Sequence, residues 1–214
     1  RRIGDNADVV TYISDYTLRR FRRAFGPHPQ FRHLPSGVDT DWFRPADRPA
    51  GPPTVVCVSR LVPRKGQDML LRVWPRILDR HPDARLRIVG SGSYENTLRQ
   101  LAAPLGDAVE FTGPLTTTAL RDALAAADVF AMPARTRGKG LDVEGLGIVY
   151  LEAQACGIPV IAGDSGGAPE TVTPETGIVV DGRREDELAT ALLTLLDDPQ
   201  LAADMGQAGR RYAR

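Results

Sequence analysis

Short apolar runs alternate with amphipathic helical patterns along most of the chain. We predict strands over 54–59, 85–89, 108–112, 129–132, 159–162 and 177–180. We predict helices over 67–80, 94–105, 117–126, 148–156, 185–196 and 199–213, with a helical turn after Gly167. This alternation is typical of βαβ units around a parallel sheet.

The predicted strands are nearly continuous apolar runs, most clearly at residues 54–59. Strands with that pattern are buried on both faces, so helices should cover both sides of the sheet. The pattern therefore predicts an α/β fold with a Rossmann-like, doubly wound parallel sheet. Ligands of such sheets bind outside the carboxyl ends of the strands, so the loops after the strands are where a site is expected.

Residues 1–48 do not fit this alternation. They contain patterns for a strand at 7–14, a helix at 17–25 and a second strand at 31–36. A single βα unit ahead of a complete domain suggests the tail of a preceding domain. We therefore predict a tail and interdomain connection over 1–48 and a Rossmann-like domain over 49–214. Because the chain has no initiator Met, we expect it to be a piece of a longer protein.

Composition narrows the class of protein. The 214 residues are 42% hydrophobic and 25% charged, which is typical of a globular protein and excludes fibrous and disordered classes. The 27 basic and 27 acidic residues cancel, which argues against binding of nucleic acid through bulk charge. The charges are unevenly placed, since residues 140–182 contain seven acids and no base.

Two further features concern the cellular compartment. Cys57 and Cys156 match no metal or disulfide spacing and are predicted to be small core residues in a reducing compartment. No apolar stretch approaches the roughly 18 residues of a membrane span. The N-terminus has no signal-peptide core, so we expect a cytoplasmic chain.

The loop after the first strand of the predicted domain carries two separated cations. Arg60 ends the strand and Lys65 precedes the helix, so both should lie at the ligand edge of the sheet. Arg offers a rigid two-pronged donor and Lys a mobile charge, a combination suited to a diphosphate. A solvated basic loop is the alternative.

The loop after the second strand is rich in glycine. Gly90 and Gly92 begin like a dinucleotide fingerprint, but Glu95 stands where the third glycine belongs, and the motif follows the wrong strand. The sequence therefore disfavours an NAD site. The two glycines serve either close approach of a ligand or a tight turn, and the sequence does not separate these two roles.

Residues 133–153, after the fourth strand, are the most informative segment. A long polar loop opens into a helix with a Gly-rich start, which leaves backbone N–H groups free to bind an anion. Glu144 precedes the first turn, and Glu152 lies in the second turn, eight residues later. Such carboxylates can accept hydrogen bonds from hydroxyl groups. An ordinary helix-end acid and a surface residue are the alternatives.

Together these motifs resemble a known family. Arg60 with Lys65, the Gly90 loop, and Glu144 with Glu152 in the pattern E-x7-E are similar to the C-terminal half of the GT-B retaining glycosyltransferases of family 4. Within that family the chain most resembles the actinobacterial phosphatidylinositol monomannoside mannosyltransferases that use GDP-mannose. The stretches that carry this resemblance are SRLVPRKGQD, ADVFAMPARTRGKGLDVEGLGIVYLEAQACGIPVIAG and SGGAPETV.

The resemblance implies that 49–214 is the C-terminal, nucleotide-sugar-binding domain, and it implies a role for each motif. Arg60 and Lys65 would clamp the donor diphosphate, and Glu152 would hold the ribose hydroxyls. Glu144 would be the catalytic residue and would contact the transferred sugar. The other implied contacts are Leu146 and Gly147 with the sugar, Gly147, Ile148 and Val149 with the diphosphate, and Gly90, Gly92 and Leu115 with the nucleobase.

The resemblance also implies a reaction. A hexose, with mannose favoured, would pass from a nucleotide diphosphate sugar, with GDP-mannose favoured, to a lipid-linked or glycan acceptor with retention of configuration. The leaving diphosphate would help to deprotonate the acceptor. No metal or cofactor is expected, because Arg60, Lys65 and the helix end would replace the electrostatic role of a cation.

The implied partners are the sugar donor and the acceptor, without nucleic acid. We expect most of the N-terminal domain, which supplies the acceptor site and a membrane-docking surface in this family, to be missing here. The chain alone would then bind GDP or GDP-mannose weakly and transfer nothing, and the complete protein would lie peripherally at the inner face of the membrane. His28, His33 and His81 lie outside the matched motifs and are predicted to be loop residues.

Several alternatives stay open. A UDP-sugar-dependent glycosyltransferase of the same family would share these motifs, since nothing in them distinguishes guanine from uracil. A nucleotide-sugar epimerase of GT-B architecture could share the diphosphate site, and a noncatalytic nucleotide-sugar-binding module would fit the chain as given. A glycosidase is disfavoured, because one acid of the required pair is here assigned to ribose.

Overall fold

The computed structural model describes residues 6–26, 30–47 and 51–214. The first elements are β1 (Val10–Tyr12), α1 (Asp15–Phe25) and β2 (Phe31–His33). The strands that follow are β3 (Thr54–Val58), β4 (Arg85–Val89), β5 (Val109–Gly113), β6 (Val129–Met132), β7 (Val160–Gly163) and β8 (Gly177–Val180). The helices that follow are α2 (Gln67–Leu78), α3 (Glu95–Ala102), α4 (Thr117–Ala125), α5 (Ile148–Ala155), α6 (Glu185–Asp197) and α7 (Pro199–Ala213).

Strands β3 to β8 form one parallel sheet in the order β5-β4-β3-β6-β7-β8. The order reverses at β3, which has β4 on one side and β6 on the other. Such a switch point opens a crevice outside the carboxyl ends of the strands, and ligands of doubly wound sheets bind there. The predicted Rossmann-like parallel sheet is confirmed.

Side chains from both faces of the sheet form the core. β6 and β7 are buried along their whole length, as their apolar runs predicted. The Tyr150 ring of α5 is fully buried and packs edge-on against Phe130, and its hydroxyl donates a hydrogen bond of 2.7 Å to the Met132 carbonyl. That bond satisfies the polar atom of a fully buried ring. Cys57 and Cys156 are buried and free, as predicted.

One helix ends earlier than its pattern predicts. Residues 94–105 have helical periodicity, but α3 ends at Ala102 and a 3₁₀ segment, Ala103–Ala108, follows. Pro104 has no backbone N–H to continue an α-helix, and Gly106 has a φ of 52°, outside the helical region. Proline and glycine thus override the apolar spacing.

The residues before the sheet form a small βαβ unit. β1 and β2 pair in parallel and α1 connects them, so the predicted strand–helix–strand order is confirmed with shorter strands. Ser14 is the N-cap of α1: its hydroxyl accepts from the Thr17 amide at 3.2 Å, and the Thr17 hydroxyl accepts from the Ser14 amide at 3.0 Å. This reciprocal capping fixes the residue at which the helix begins.

The loop predictions for the three histidines have different outcomes. The loop prediction for His33 is wrong, whereas the strand predicted over 31–36 does include it: His33 lies in β2 and stacks on Tyr12 of β1, with 5.1 Å between ring centroids. Pro35 suggested a loop, but a proline two residues on ends a strand without preventing it. His81 lies in the loop after α2, as predicted, and is 2.9 Å from the Asp197 carboxylate. His28 lies outside the described residues.

Candidate functional site

Two of the predicted site residues form an ion pair at the carboxyl edge of the sheet. Lys65 ends a 3₁₀ turn between β3 and α2, and Glu144 lies in the loop between β6 and α5. The Lys65 Nζ is 2.5 Å from Glu144 Oε2, and the two side chains are only 10% and 9% exposed. The loops meet because β3 and β6 are neighbours in the sheet. The sequence placed both residues in the site but did not predict their contact.

The Lys65–Glu144 pair explains how two charges can be buried at this edge. An unpaired charge would be very unfavourable here, so each side chain compensates the other. The pair also brings a cation and a hydrogen-bond acceptor to the same point. A ligand with phosphate groups next to hydroxyl groups would offer both side chains a further partner there.

The backbone of Glu144 is held by the loop after β7. Its amide donates to the hydroxyl of the fully buried Ser165 at 3.1 Å, and its carbonyl accepts from the Gly167 amide at 2.9 Å. Gly166 has a φ of 62°, and a Cβ there would lie 1.8 Å from the Glu144 carbonyl oxygen, so a side chain does not fit. This loop was not predicted to belong to the site, although the adjacent glycines of SGGAPETV were a signal of close backbone contact.

A second part of the site is a pocket of about 270 Å³ between the carboxyl ends of β3, β4 and β5. Arg60, Gly90 and Leu115, predicted from three different loops, all line it, whereas Gly92 does not. Arg60 is exposed, and its side chain forms no hydrogen bond or ion pair with the part of the chain that the structure describes. Its guanidinium is therefore available to a ligand in or beside the pocket.

Gly90 and Gly92 have a structural role that the sequence did not reveal. A Cβ on Gly90 would lie 2.0 Å from the Ser59 carbonyl oxygen, and one on Gly92 would lie 2.2 Å from that of Leu61. The glycines thus let the loops after β3 and β4 pack backbone against backbone. This packing places Arg60 beside the pocket.

The N-terminus of α5 adjoins Glu144. Gly147, the residue before the helix, has a φ of 87°, and a Cβ there would lie 3.6 Å from the Glu144 Cγ and 2.5 Å from the Tyr150 ring. Ile148 and Val149 form the first turn, whose amides have no carbonyl to bond within the helix. These amides can bind an anion, and Leu146 and Gly147 lie between them and Glu144.

Glu152 lies one turn into α5, on the same face as Ile148. Its side chain is half-buried and forms no hydrogen bond or ion pair within residues 6–26, 30–47 and 51–214. Burial raises the pKa of its carboxyl, because the charged form loses water without gaining a partner. An acceptor in this environment is suited to hydroxyl groups of a ligand.

We expect Glu152→Gln to stabilise the chain at neutral pH. The folded state holds the Glu152 proton more tightly than the unfolded state, so the carboxylate costs stability once the pH rises above its unfolded pKa. The gain from the substitution should be absent below about pH 4 and should grow as the pH rises. Urea unfolding at neutral pH and below about pH 4 measures this gain in stability, with substitution of the exposed Glu185, Glu185→Gln, as the control. Equal stability of variant and parent at neutral pH would contradict the expectation.

Gln67, the first residue of α2, supports the Arg60 loop and was not predicted. It is fully buried, and its side-chain amide donates to the Ser59 hydroxyl at 2.7 Å and to the Arg60 carbonyl at 3.0 Å. These two bonds fix the backbone from which the Arg60 guanidinium extends. No motif signalled them, because they depend on how the helix packs against the strand end.

Asp68, the next residue, supports the loop that leads to Glu144. Its carboxylate accepts two hydrogen bonds from Arg135, at 2.9 and 2.8 Å, and both side chains are largely buried. The two residues are 67 positions apart, so spacing along the chain gave no sign of the pair. The first turn of α2 therefore ties together the two loops that carry the predicted charged residues.

Several cationic side chains lie at the carboxyl edge. Among the residues that the structure describes, no group of three or more His, Cys, Asp or Glu side chains could hold a metal ion. No helix formed by those residues is long and apolar enough to cross a bilayer. The structure places both predicted cations, Arg60 and Lys65, at the carboxyl edge, where Arg64 lies between them in the same loop and Arg135 follows β6.

The sheet topology assigns the chain to the Rossmann-like α/β domains, with its charged residues at the edge where such domains bind ligands. Within that class a specific match exists, because residues 38–212 fit the family described as glycosyl transferases group 1. The chain belongs to this family. The resemblance inferred from its motifs is thereby confirmed.

Two curated relatives are similar over almost the whole chain. The chain is 59% identical over 224 residues to a GDP-mannose-dependent monoacylated alpha-(1-6)-phosphatidylinositol monomannoside mannosyltransferase of Corynebacterium glutamicum, covering 99% of this chain and 59% of the relative. It is 56% identical over 230 residues to a GDP-mannose-dependent alpha-(1-6)-phosphatidylinositol monomannoside mannosyltransferase of Mycolicibacterium smegmatis, covering 100% of this chain and 59% of the relative. The chain thus spans less than two thirds of the length of these relatives.

A solved structure is similar as well. The sucrose-phosphate synthase of Thermosynechococcus elongatus matches with a TM-score of 0.88 and 32% identity, covering 99% of this chain and 55% of that chain. The architecture is therefore that of the GT-B glycosyltransferases, and the described sheet is like their C-terminal domain, as predicted.

Proposed function

We propose that this chain contains the donor-binding half of a mannosyltransferase. The complete enzyme would transfer mannose from GDP-mannose to a lipid-linked acceptor, a phosphatidylinositol mannoside above all, with retention of configuration. One observation carries the proposal: a pocket beside Arg60, the Lys65–Glu144 pair, a helix N-terminus and Glu152 lie along the same edge of the sheet. The similarity to two GDP-mannose-dependent mannosyltransferases supports the choice of donor.

The diphosphate would lie between Arg60, Lys65 and the first turn of α5, at Gly147, Ile148 and Val149. At an effective dielectric constant near 20, each close cation–phosphate contact is worth roughly 4 kcal/mol before desolvation. Arg60 has no competing partner in the described chain. Lys65 has three donor hydrogens, so it can donate to phosphate while it keeps its bond to the neighbouring carboxylate.

The nucleoside would lie beside the diphosphate. The base would occupy the pocket lined by Gly90 and Leu115, with Gly92 holding the loop behind it. Glu152 would accept hydrogen bonds from the ribose hydroxyls. This contact would give the half-buried Glu152 carboxylate the partners that it lacks in the described chain, which supports its assignment to ribose.

The transferred sugar would lie next to Glu144, with Leu146 and Gly147 completing the contact. The departing diphosphate would help to deprotonate the acceptor hydroxyl. Arg60, Lys65 and the helix end would stabilise the charge on that diphosphate, so the reaction would need no metal ion.

The acceptor would bind elsewhere. Residues 1–48 would be the tail of an N-terminal domain and the interdomain connection, and 49–214 the donor domain. An N-terminal domain would supply the acceptor site and dock peripherally at the cytoplasmic face of the membrane. The chain alone would then bind GDP or GDP-mannose weakly and transfer nothing. Mannosyl transfer by the purified 214-residue chain would contradict this part of the proposal.

Arg60→Ala tests the diphosphate contact without disturbing the fold. The side chain is exposed and unbonded in the described chain, so stability should change little, whereas GDP affinity should fall about 10- to 100-fold through loss of a charge-assisted contact. Isothermal titration calorimetry with GDP and GMP measures the effect. The substitution should lower the affinity for GMP less than the affinity for GDP, because GMP has one phosphate fewer. The control is Arg72→Ala, an exposed arginine on α2. Equal GDP affinity in both variants would contradict the contact.

A UDP-sugar donor is the second candidate, because the pocket offers few polar side chains to distinguish bases. Val58, Val89, Pro114, Leu115 and Leu120 make its lining mostly apolar. Thermal-shift titrations with GDP and UDP separate the two donors, and we expect the larger shift with GDP. Joining an N-terminal domain of the Corynebacterium relative to this chain, then assaying transfer, would separate an enzyme from a noncatalytic binding module.

A further inference from the structure

The first turn of α1 contacts the loop that carries Glu144. Ser14, the N-cap of α1, is buried, and its hydroxyl donates a hydrogen bond of 3.0 Å to the Gly145 carbonyl, 131 positions further along the chain. The same oxygen accepts from the Thr17 amide inside the helix. One atom, Ser14 Oγ, therefore joins the start of the helix to the loop.

Glu170 holds the same helix end from the other side. Its carboxylate oxygens accept hydrogen bonds from the Asp15 and Tyr16 amides, at 2.7 and 2.8 Å. Amides of a first turn have no acceptor within the helix, and the helix dipole favours a carboxylate there. The Glu170 carbonyl in turn accepts from the Tyr212 hydroxyl of α7 at 3.2 Å. A carboxylate from the sheet domain thus anchors α1.

The residues between α1 and the sheet domain are closely packed around Gly167. A Cβ on Gly167 would lie 2.2 Å from the Gly145 carbonyl oxygen and 2.8 Å from the Ser14 hydroxyl oxygen. The Gly167 amide also bonds to the Glu144 carbonyl. A shift of α1 therefore disturbs the backbone of Glu144 and its neighbour directly.

We infer that the first turn of α1 positions the Glu144 loop, with Ser14 and Glu170 as positioning residues that need not touch the donor. Binding of a ligand at that loop and docking of α1 on Glu170 are then linked, so that each strengthens the other. The link to nucleotide binding rests on the proposed function, whereas the fixing of the loop by α1 does not. If α1 belongs to the acceptor domain, this contact couples donor binding to the placement of that domain.

Hydrogen–deuterium exchange of the whole chain, without nucleotide, tests the fixing of the loop. Glu170→Gln should raise the exchange rate of the amides of 144–147 about fivefold, the size expected for one lost helix-end interaction. This variant is informative because, among the described residues, the Glu170 carboxylate bonds to α1 amides, and its replacement leaves the backbone bond from Glu170 to Gly167 in place. Ser14→Ala should have the same effect by removing the cap and the Gly145 bond together.

Two matched controls separate this effect from general loosening. The first control, Asp198→Ala, removes the N-cap residue of α7, because the Asp198 side chain accepts a hydrogen bond from the Leu201 amide. The second control, Glu185→Gln, removes an exposed carboxylate at the start of α6. Both should leave the exchange of 144–147 at the parent rate. If Ser14→Ala and Glu170→Gln speed exchange only within α1, Ser14 is merely a helix cap and the inference is overturned.

GDP titration is a separate arm of the test. Both positioning variants should bind GDP about fivefold more weakly than the parent, and circular dichroism confirms that they stay folded. Unchanged GDP affinity despite faster loop exchange would overturn the link to nucleotide binding. If the parent chain itself binds no GDP, the proposed function fails, while the exchange experiment still decides the role of α1.

Discussion

Lys65→Ala should lower the free energy of unfolding by about 3–5 kcal/mol, the range for removing one partner of a buried ion pair. The substitution leaves the Glu144 carboxylate 9% exposed and without its cation. Ser165 and Gly167 hold the Glu144 backbone, so the main chain cannot carry the carboxylate out to water without breaking these hydrogen bonds. Urea unfolding followed by circular dichroism measures the loss.

The chain supplies its own control for this experiment, because it contains one other lysine. Lys139 is exposed, and Lys139→Ala should change stability by less than about 0.5 kcal/mol. Combining Lys65→Met with Glu144→Gln removes both charges and should recover most of the loss. If Lys65→Ala is as stable as the parent, the buried ion pair does not stabilise the folded state, and the prediction is wrong.

Glu144→Gln should lower the rate of mannosyl transfer about 10²- to 10³-fold in an enzyme completed with an N-terminal domain. In the proposed function Glu144 faces the sugar, where positive charge develops as the bond to the diphosphate breaks. An amide cannot balance that charge. Its oxygen can still accept from Lys65, so the chain should stay folded and bind GDP, although loss of the carboxylate charge lowers its stability. Transfer of labelled mannose from GDP-mannose measures the rate.

The control for this prediction is Glu175→Gln, which changes an exposed glutamate in the turn before β8, at the amino edge of the sheet, and should keep the parent rate. Two results would contradict the role of Glu144. One is a transfer rate within tenfold of the parent, since removing a charge that stabilises the transition state slows a reaction by more than that. The other is loss of GDP binding with the fold intact, which would place Glu144 at the nucleotide instead of the sugar.

The fold was largely predictable, because its strands are buried on both faces. β6 and β7 carry apolar residues at nearly every position, and short runs of this kind between helical patterns are typical of the central strands of a parallel sheet. Prediction was weakest where local chemistry opposed the pattern: Pro104 and Gly106 end a helix that the apolar spacing continues, and His33 lies in a short strand despite the proline nearby.

The site was predictable residue by residue but not as a network. Lys65 and Glu144 stood out because charged residues in strand-to-helix loops are expected at a ligand edge. Their contact spans 79 positions and depends on β3 and β6 being neighbours, which apolar periodicity does not reveal. Ser14 and Glu170 were missed for the same reason, since they act through contacts between distant segments. The roles of Arg60 and Glu152 toward a nucleotide stay predictions.

A crystal structure of the chain with GDP tests most directly whether the carboxyl edge of this sheet holds the donor. We expect Arg60 and Lys65 within hydrogen-bonding distance of the diphosphate, the Glu152 carboxylate at the ribose hydroxyls, and the guanine in the pocket lined by Leu115. A nucleotide bound at the opposite edge, in the pocket of about 470 Å³ beside Arg87, would contradict this placement. So would a diphosphate at the carboxyl edge that neither cation touches.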